Sequence, residues 1–180
     1  VGGYSSFPVC IAAAILRINF VIYENNLIIG KANKYLISFA KKIFVSYKEL
    51  EGIPKKYNNK IFEIGNIVRE EIINAENKYY DNKDPNIISI LVLGGSQAAK
   101  IFGEILPRVF KQIKDSGITI KVYQQCREEQ KNSLVKYYRN AKIESEIFNF
   151  TEKIIDYYSK ANLVITRSGA SVLGELINVK

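Results

Sequence analysis

The sequence predicts an α/β protein with two units, each built on a parallel β-sheet. Segments rich in β-branched residues alternate with segments of helical periodicity, a pattern typical of parallel sheets covered by helices. Residues 77–86, with the sequence NKYYDNKDPN, are polar and carry Pro85, which indicates an interdomain linker. We therefore expect a first domain over 1–76, a linker over 77–86 and a second domain over 87–180, with both domains incomplete.

The first unit has few predicted strands. Leu36, Ile37 and Ala40 alternate with Lys34 and Lys41 at helical spacing. Apolar runs bounded by polar turns indicate the strands. In order, we predict a helix over 9–16, a strand over 19–23, a helix over 31–42, strands over 43–46 and 60–64, and a short helix over 69–75.

The second unit follows a more regular alternation. Its first strand, 87–93, ends at Gly94 and Gly95, and a helical pattern resumes from Gln97. Thr151 is a suitable N-cap for a later helix. We predict helices over 97–114, 127–139 and 151–160, strands over 118–123, 143–148 and 162–166, and a last helix beginning at 170.

Composition limits the classes of function. The 180-residue chain has a net charge of +8, no His and no Met. Without His it lacks the commonest general base and metal ligand, and Cys10 and Cys126 lack metal-ligand spacing, so we expect buried free thiols. The charge suits nucleic acid, an anionic membrane or phosphorylated substrates, or reflects scattered surface lysines. The missing Met, and a last helix that runs to residue 180, predict a fragment of a longer protein.

Turns at the carboxyl ends of strands carry the candidate chemistry. Backbone N–H groups at Gly94 and Gly95, with the Ser96 hydroxyl, can hold a phosphate where a strand leads into a helix. Glu175, two turns into the last helix, can accept hydrogen bonds from two ribose hydroxyls. The planar guanidinium of Arg69 suits a diphosphate. Each feature also has an ordinary explanation: a βα turn, a solvated carboxylate and a surface arginine.

The order of several motifs is more specific than any one of them. They are GGYSS (2–6), YENN (23–26), IGKAN (29–33), IGNIVR (64–69), VLGGSQ (92–97) and TRSGA (166–170), the last followed by Glu175. In this order and spacing they resemble the MurG family, the bacterial UDP-N-acetylglucosamine transferases that convert lipid I to lipid II. The resemblance covers essentially all 180 residues.

The resemblance implies an inverting GT-B glycosyltransferase with two Rossmann-like domains, no metal and no cofactor. The implied donor-site residues are Asn26, Arg69, Ser96, Thr151 (beside the uracil), Ala170, Ser171, Val172, Leu173, Gly174 and Glu175, with Gly94, Gly95 and Gln97 completing the phosphate loop. It further implies UDP-N-acetylglucosamine as donor and a polyprenyl-diphosphate-linked muramoyl peptide as acceptor. A peripheral location on the anionic cytoplasmic face of the bacterial inner membrane follows from the same resemblance.

Some positions depart from the family pattern. Tyr23, Ile67 and Ala98 replace the usual His, Pro and Gly. Glu24 is the only carboxylate near the expected cleft, and no general base is assigned. An inactive remnant that binds nucleotide sugar or membrane, or a related lipid glycosyltransferase with another acceptor, therefore stays open. Paired tyrosines among lysines, at 79–80 and 137–138, are the only support for a nucleic-acid module, and nucleic acid is not an expected partner.

Overall fold

Each of the two units of the chain is organised around a parallel β-sheet. In the computed structural model the units are Val1–Val68 and Arg69–Lys180. The structure describes residues 6–74 and 84–179, without the side chains of residues 95–99. Both sheets are wholly parallel across the described strands, which confirms the predicted α/β class.

The first unit has a three-stranded sheet in the order β1-β2-β3. Val21 lies opposite Lys42, and Ile43 opposite Ile61. Buried aliphatic side chains of the strands and of the helix that follows β1 form the core of this unit, including Ile22, Leu36 and Val45. Its elements are α1 (Ser6–Ile15), β1 (Val21–Glu24), α2 (Lys31–Leu36), β2 (Lys42–Val45), a 3-10 helix (Lys55–Lys60) and β3 (Ile61–Glu63).

Helix α2 is shorter than the helix predicted over 31–42. It ends at Leu36, and the chain then turns, with the Ala40 N–H donating to the Leu36 carbonyl. The Lys41 N–H donates to the Phe20 carbonyl, which draws the chain toward β1 before β2 begins. Ile37 and Ala40 stay buried, so their helical spacing reports burial within a turn rather than a longer helix.

The second unit has a four-stranded sheet in the order β6-β5-β4-β7. Strand β4 is central, and β5 and β7 pair with its two edges. The elements are α3 (Glu70–Ile73), β4 (Ile88–Leu93), α4 (Gly95–Asp115), β5 (Ile120–Gln125), α5 (Glu128–Asn140), β6 (Glu144–Phe148), α6 (Ile154–Lys160), β7 (Leu163–Thr166) and α7 (Ala170–Asn178).

This strand order places a topological switch point between β4 and β7. After β4 the chain continues to β5 on one side, and it reaches β7 on the other side only after β6. Connections that diverge from neighbouring parallel strands leave a crevice beyond their carboxyl ends. The carboxyl ends of β4 and β7 are followed by Gly94 and Arg167.

Two boundaries differ from the sequence prediction. The division between units falls after Val68, because α3 packs against α7 of the second unit, and the predicted first domain ends later, at residue 76. Most of the predicted linker, 77–86, lies outside the described residues and stays a prediction.

The prediction that Thr151 caps a helix was wrong: α6 begins at Ile154 after Lys153, and Thr151 Oγ1 instead accepts the Lys153 N–H.

A buried polar pair lies inside the core of the second unit. Tyr138 and Gln124 are both fully buried, and the Tyr138 hydroxyl donates to Gln124 Oε1 at 2.5 Å. Burial raises the pKa of Tyr138, so its hydroxyl stays protonated. Among the described residues, Gln124 Nε2 has no hydrogen-bond partner. The rest of this core is apolar and includes Val92, Val122 and Phe110.

Cys126 is a buried free thiol, as predicted, whereas Cys10 is only partly buried. Burial also raises the pKa of Cys126. Within the described ranges, no helix combines the length and the apolar character needed to cross a membrane.

We expect Tyr138→Phe to lower the free energy of unfolding by about 1–3 kcal/mol, because Gln124 then has no partner in the core. Chemical denaturation measures this change. Tyr137→Phe, the same change at the adjacent ring, serves as the control and should have a smaller effect. Adding Gln124→Leu to Tyr138→Phe should recover much of the loss, and no recovery would contradict the assignment.

Candidate functional site

A cavity of about 660 Å³ opens at the carboxyl edge of the second sheet, at the switch point between β4 and β7. Turns after β4, β6 and β7 and the first two turns of α6 and α7 form its walls. The residues that line it are Arg69, Leu93, Gly94, Gln125, Phe148, Phe150, Thr151, Ile154, Tyr158, Thr166, Arg167, Ser168, Gly169, Val172 and Glu175.

One wall of the cavity is the start of the longest described helix. Gly94 directly precedes α4, which begins at Gly95. The first N–H groups of a helix have no partner within the helix and favour an anion. The side chains of Ser96 and Gln97 lie outside the described residues, so their roles in the phosphate loop stay predictions. The described backbone places this helix start beside the cavity.

The cavity lining also includes an ion pair. The Arg69 guanidinium contacts Glu175 Oε1 through Nε at 3.0 Å and through its terminal nitrogen at 2.8 Å. The Tyr158 hydroxyl donates to the second oxygen, Glu175 Oε2, at 2.9 Å. The Arg69 side chain is 44% exposed and that of Glu175 14%. The two side chains predicted to bind diphosphate and ribose therefore meet each other within this unit.

Tyr158 is a neutral donor in this cluster. Burial raises its pKa, and the negative charge and hydrogen bond of Glu175 raise it further. Tyr157, the next residue along α6, contacts Glu146 instead, and burial followed by that contact raises its pKa to about 12. The two adjacent tyrosines of α6 therefore donate hydrogen bonds to different carboxylates.

The turn after β6 brings an exposed aromatic ring to the cavity. Phe150 is exposed beside Thr151. Gln125 Nε2 donates to the Asn149 carbonyl at 2.9 Å, which ties the end of β5 to this turn. A planar apolar surface of this kind suits the face of a nucleobase.

Only some of the α7 residues predicted to bind the donor line the cavity. Of the described residues of α7, Val172 and Glu175 line the cavity, as the 3.6-residue period requires. Ala170, Ser171, Leu173 and Gly174 lie in the same two turns but do not line it. Gly174 is buried. The contact of these four residues with a donor stays a prediction, as it does for Val172 and Glu175.

Asn26 belongs to the first unit, in the turn after β1. Its backbone N–H and Nδ2 donate to Glu24 Oε1 at 3.3 and 2.8 Å. The Gly30 N–H and Asn33 Nδ2 donate to Glu24 Oε2, both at 2.9 Å. Burial alone would raise the pKa of Glu24, but these four hydrogen bonds outweigh it and hold the pKa below its usual value. Glu24 is therefore an anionic centre of its turn and not a proton acceptor near neutral pH.

Tyr23, where the family pattern has His, organises a different turn. Its hydroxyl contacts Ser46 Oγ at 2.8 Å and donates to the Gly65 carbonyl at 3.3 Å. It accepts the Ile67 N–H at 3.1 Å. Gly65 has φ +76°, a left-handed conformation that favours glycine. The phenol thereby holds the turn that contains the IGNIVR motif.

Sequence reasoning missed Tyr158 and Gln125 as site residues. Tyr158 lies four residues after Ile154, so one face of α6 presents both to the cavity. That spacing was visible in the sequence but indicates an ordinary core face equally well. Within the described residues, no cluster of three or more potential ligands is arranged to hold a metal ion.

The model of the glycosyltransferase family 28 C-terminal domain matches residues 89–180, about half of the chain. The chain belongs to glycosyltransferase family 28. The model of the N-terminal domain of this family matches residues 1–45. The two matches follow the order of the two sheets.

Relatives in family 28 carry one name. The chain is 37% identical over 175 residues to the UDP-N-acetylglucosamine–N-acetylmuramyl-(pentapeptide) pyrophosphoryl-undecaprenol N-acetylglucosamine transferase of Pelagibacter ubique, covering 97% of this chain and 48% of the relative. It is 36% identical over 183 residues to the transferase of the same name from Rickettsia felis, covering 97% and 51%. The chain thus spans about half the length of the curated relatives it matches.

A solved family 28 structure agrees with these sequence matches. The crystal structure of MurG from Acinetobacter baumannii is similar with a TM-score of 0.64 and 26% identity, over 94% of this chain and 46% of that one. The sequence and structure matches together confirm the predicted resemblance to the MurG family and the GT-B class.

We expect Glu24→Gln to lower the free energy of unfolding at pH 7 by about 2–3 kcal/mol, because its amide group must face N–H donors. The lowered pKa makes the carboxylate stabilising above its unfolded value of 4.5, and this stability is lost as pH falls through the folded pKa. The difference between wild type and variant should therefore narrow below pH 4.5. Glu63→Gln, at an exposed carboxylate of β3, is the control, and equal losses from both variants would contradict this role.

Proposed function

We propose that the chain forms part of an inverting glycosyltransferase. It would move N-acetylglucosamine from UDP-N-acetylglucosamine to a polyprenyl-diphosphate-linked muramoyl peptide, converting lipid I to lipid II. Membership of family 28 and the shared name of the relatives support the reaction class. The observation that carries the proposal is the cavity at the switch point, where a helix start, Arg69 and Glu175 line one space.

The donor would lie along the carboxyl edge of the second sheet. Its diphosphate would face the start of α4 and the Arg69 guanidinium, which offer N–H donors and positive charge. Its ribose would meet Glu175, and its uracil the turn that holds Phe150 and Thr151. Asn26 belongs to the first unit, and its predicted contact with the donor stays a prediction.

The bond changes follow from this placement. The acceptor hydroxyl oxygen attacks the anomeric carbon, the bond from that carbon to the diphosphate oxygen breaks, and UDP leaves with the electron pair. The configuration inverts because attack and departure take place on opposite faces. Negative charge grows on the leaving diphosphate, where fixed N–H dipoles and a guanidinium stabilise it most. The hydroxyl proton passes to a base outside the residues assigned here.

The first unit would face the acceptor and the membrane. Residues 1–68 carry nine basic and four acidic side chains, a net charge of +5. Tyr35 is 72% and Phe39 56% exposed, and the exposed Lys31 and Lys34 lie nearby in sequence on α2. Aromatic rings beside lysines suit the interface of an anionic bilayer. This supports a peripheral location, which we place on the cytoplasmic side of the inner membrane.

Calorimetric titration with UDP and with uridine tests the donor site in the full-length protein. Arg69→Ala should weaken UDP binding about tenfold or more without weakening uridine binding, because the guanidinium would contact only the diphosphate of the ligand. Glu175→Ala should weaken both ligands. Arg108→Ala, an exposed arginine of α4, is the control. Absence of UDP binding in the wild type would exclude the proposed donor site.

The transfer reaction separates an enzyme from an inactive relative that binds nucleotide. We expect full-length protein to convert a lipid-linked muramoyl-pentapeptide diphosphate to its disaccharide product with UDP-N-acetylglucosamine, and product mass measures it. UDP binding without transfer would favour the inactive relative.

Vesicle sedimentation tests the membrane surface. Full-length protein should bind vesicles containing phosphatidylglycerol more than neutral vesicles, and salt should weaken this binding. Tyr35→Ser with Phe39→Ser should reduce it several-fold. Ile105→Ser with Val109→Ser, another pair of exposed apolar residues four apart, is the matched control. An equal effect of both pairs would contradict the assignment.

A further inference from the structure

The Glu175 carboxylate is held by two donors of different kinds. Arg69 directs two nitrogens to Oε1, and Tyr158 directs its hydroxyl to Oε2. Both donors belong to the described part of the second unit. A carboxylate has two oxygens with about four acceptor positions, so the three contacts leave little capacity for a ligand while Arg69 is paired.

The two donors differ in how firmly the fold holds them. The Arg69 side chain is 44% exposed, and Arg69 directly precedes the four-residue helix α3. Tyr158 lies within α6, is only 4% exposed and is one of the residues that line the cavity. A long exposed side chain can exchange partners at low cost, whereas a buried ring with two torsions cannot.

Ligand binding would separate the two contacts. Under the proposed function, the diphosphate competes with Glu175 for the Arg69 guanidinium, since both are anions that suit its planar donors. Once Arg69 leaves, Oε1 is free and Oε2 still accepts from Tyr158. The remaining acceptor positions are enough for two neighbouring hydroxyl groups.

We propose that Tyr158 is a positioning residue that holds Glu175 in place for the 2′ and 3′ hydroxyls of the donor ribose, while Arg69 exchanges from Glu175 to the diphosphate. The inference rests on the proposed function and deepens it. It assigns to the buried phenol of α6 a part in distinguishing a ribonucleotide from a deoxyribonucleotide. Burial and Glu175 raise the Tyr158 pKa, so the hydroxyl remains a donor throughout the neutral range.

Titration with UDP and 2′-deoxy-UDP tests this role in the full-length protein. We expect Tyr158→Phe to weaken UDP binding about tenfold, since it removes one hydrogen bond to a charged group. The deoxy ligand already lacks one of the hydroxyls, so its binding should weaken by no more than about threefold. The ratio of the affinity for UDP to the affinity for 2′-deoxy-UDP should therefore fall in this variant. Tyr157→Phe removes the same atom from the adjacent ring, which contacts Glu146, and should leave the preference unchanged.

A double-mutant cycle separates positioning from a general loss of structure. With Glu175→Gln present, adding Tyr158→Phe should change UDP affinity by less than about twofold, because the two changes act on one interaction. Equal weakening of both nucleotides by Tyr158→Phe, or an undiminished loss in the Glu175→Gln background, would overturn the inference and leave the donor site intact. A wild type that binds neither nucleotide would overturn the proposed function together with it.

Discussion

The parallel pairing of β4 with both β5 and β7 is the constraint on which the candidate site depends. Because all four strands run in the same direction, their carboxyl ends lie at one edge. Residues as far apart in the chain as Gly94 and Glu175 then line one cavity. A change of strand direction would disperse the same residues to opposite edges.

Glu24 and Glu175 differ in the donors that hold their carboxylates, and this difference suits one to a structural role and the other to ligand binding. Glu24 accepts four N–H donors, all from its own turn and the helix that follows. These donors come from ordered backbone and amide groups, so the carboxylate has no capacity for a ligand and shapes the turn that carries Asn26. Glu175 instead takes most of its contacts from one exposed arginine. A contact that a ligand can replace makes this carboxylate suited to recognition.

Family membership sets the context of these local observations. The N-terminal and C-terminal domain models of the family match the chain in that order. The similarity to the MurG crystal structure covers nearly all of this chain but less than half of the MurG chain. The second unit contains, within its own residues, a cavity lined by Gly94 before the start of α4, by Arg69 and by Glu175. In the first unit, Tyr23 stands where the family pattern has histidine, and its phenol hydrogen-bonds to the turn that contains Gly65 and Ile67.

The sequence by itself determined the fold class, the order of the strands along the chain and the glycine turn after β4. These depend on local periodicity, β-branched runs and the conformational freedom of glycine, which are properties of neighbouring residues. The motif order also determined the family resemblance and the choice of Arg69 and Glu175. Only the tertiary structure decided that these two side chains pair with each other, that Tyr158 completes the cluster and that Thr151 does not cap α6. Such contacts join residues far apart in the chain, and their energies depend on burial and distance, which no local pattern contains.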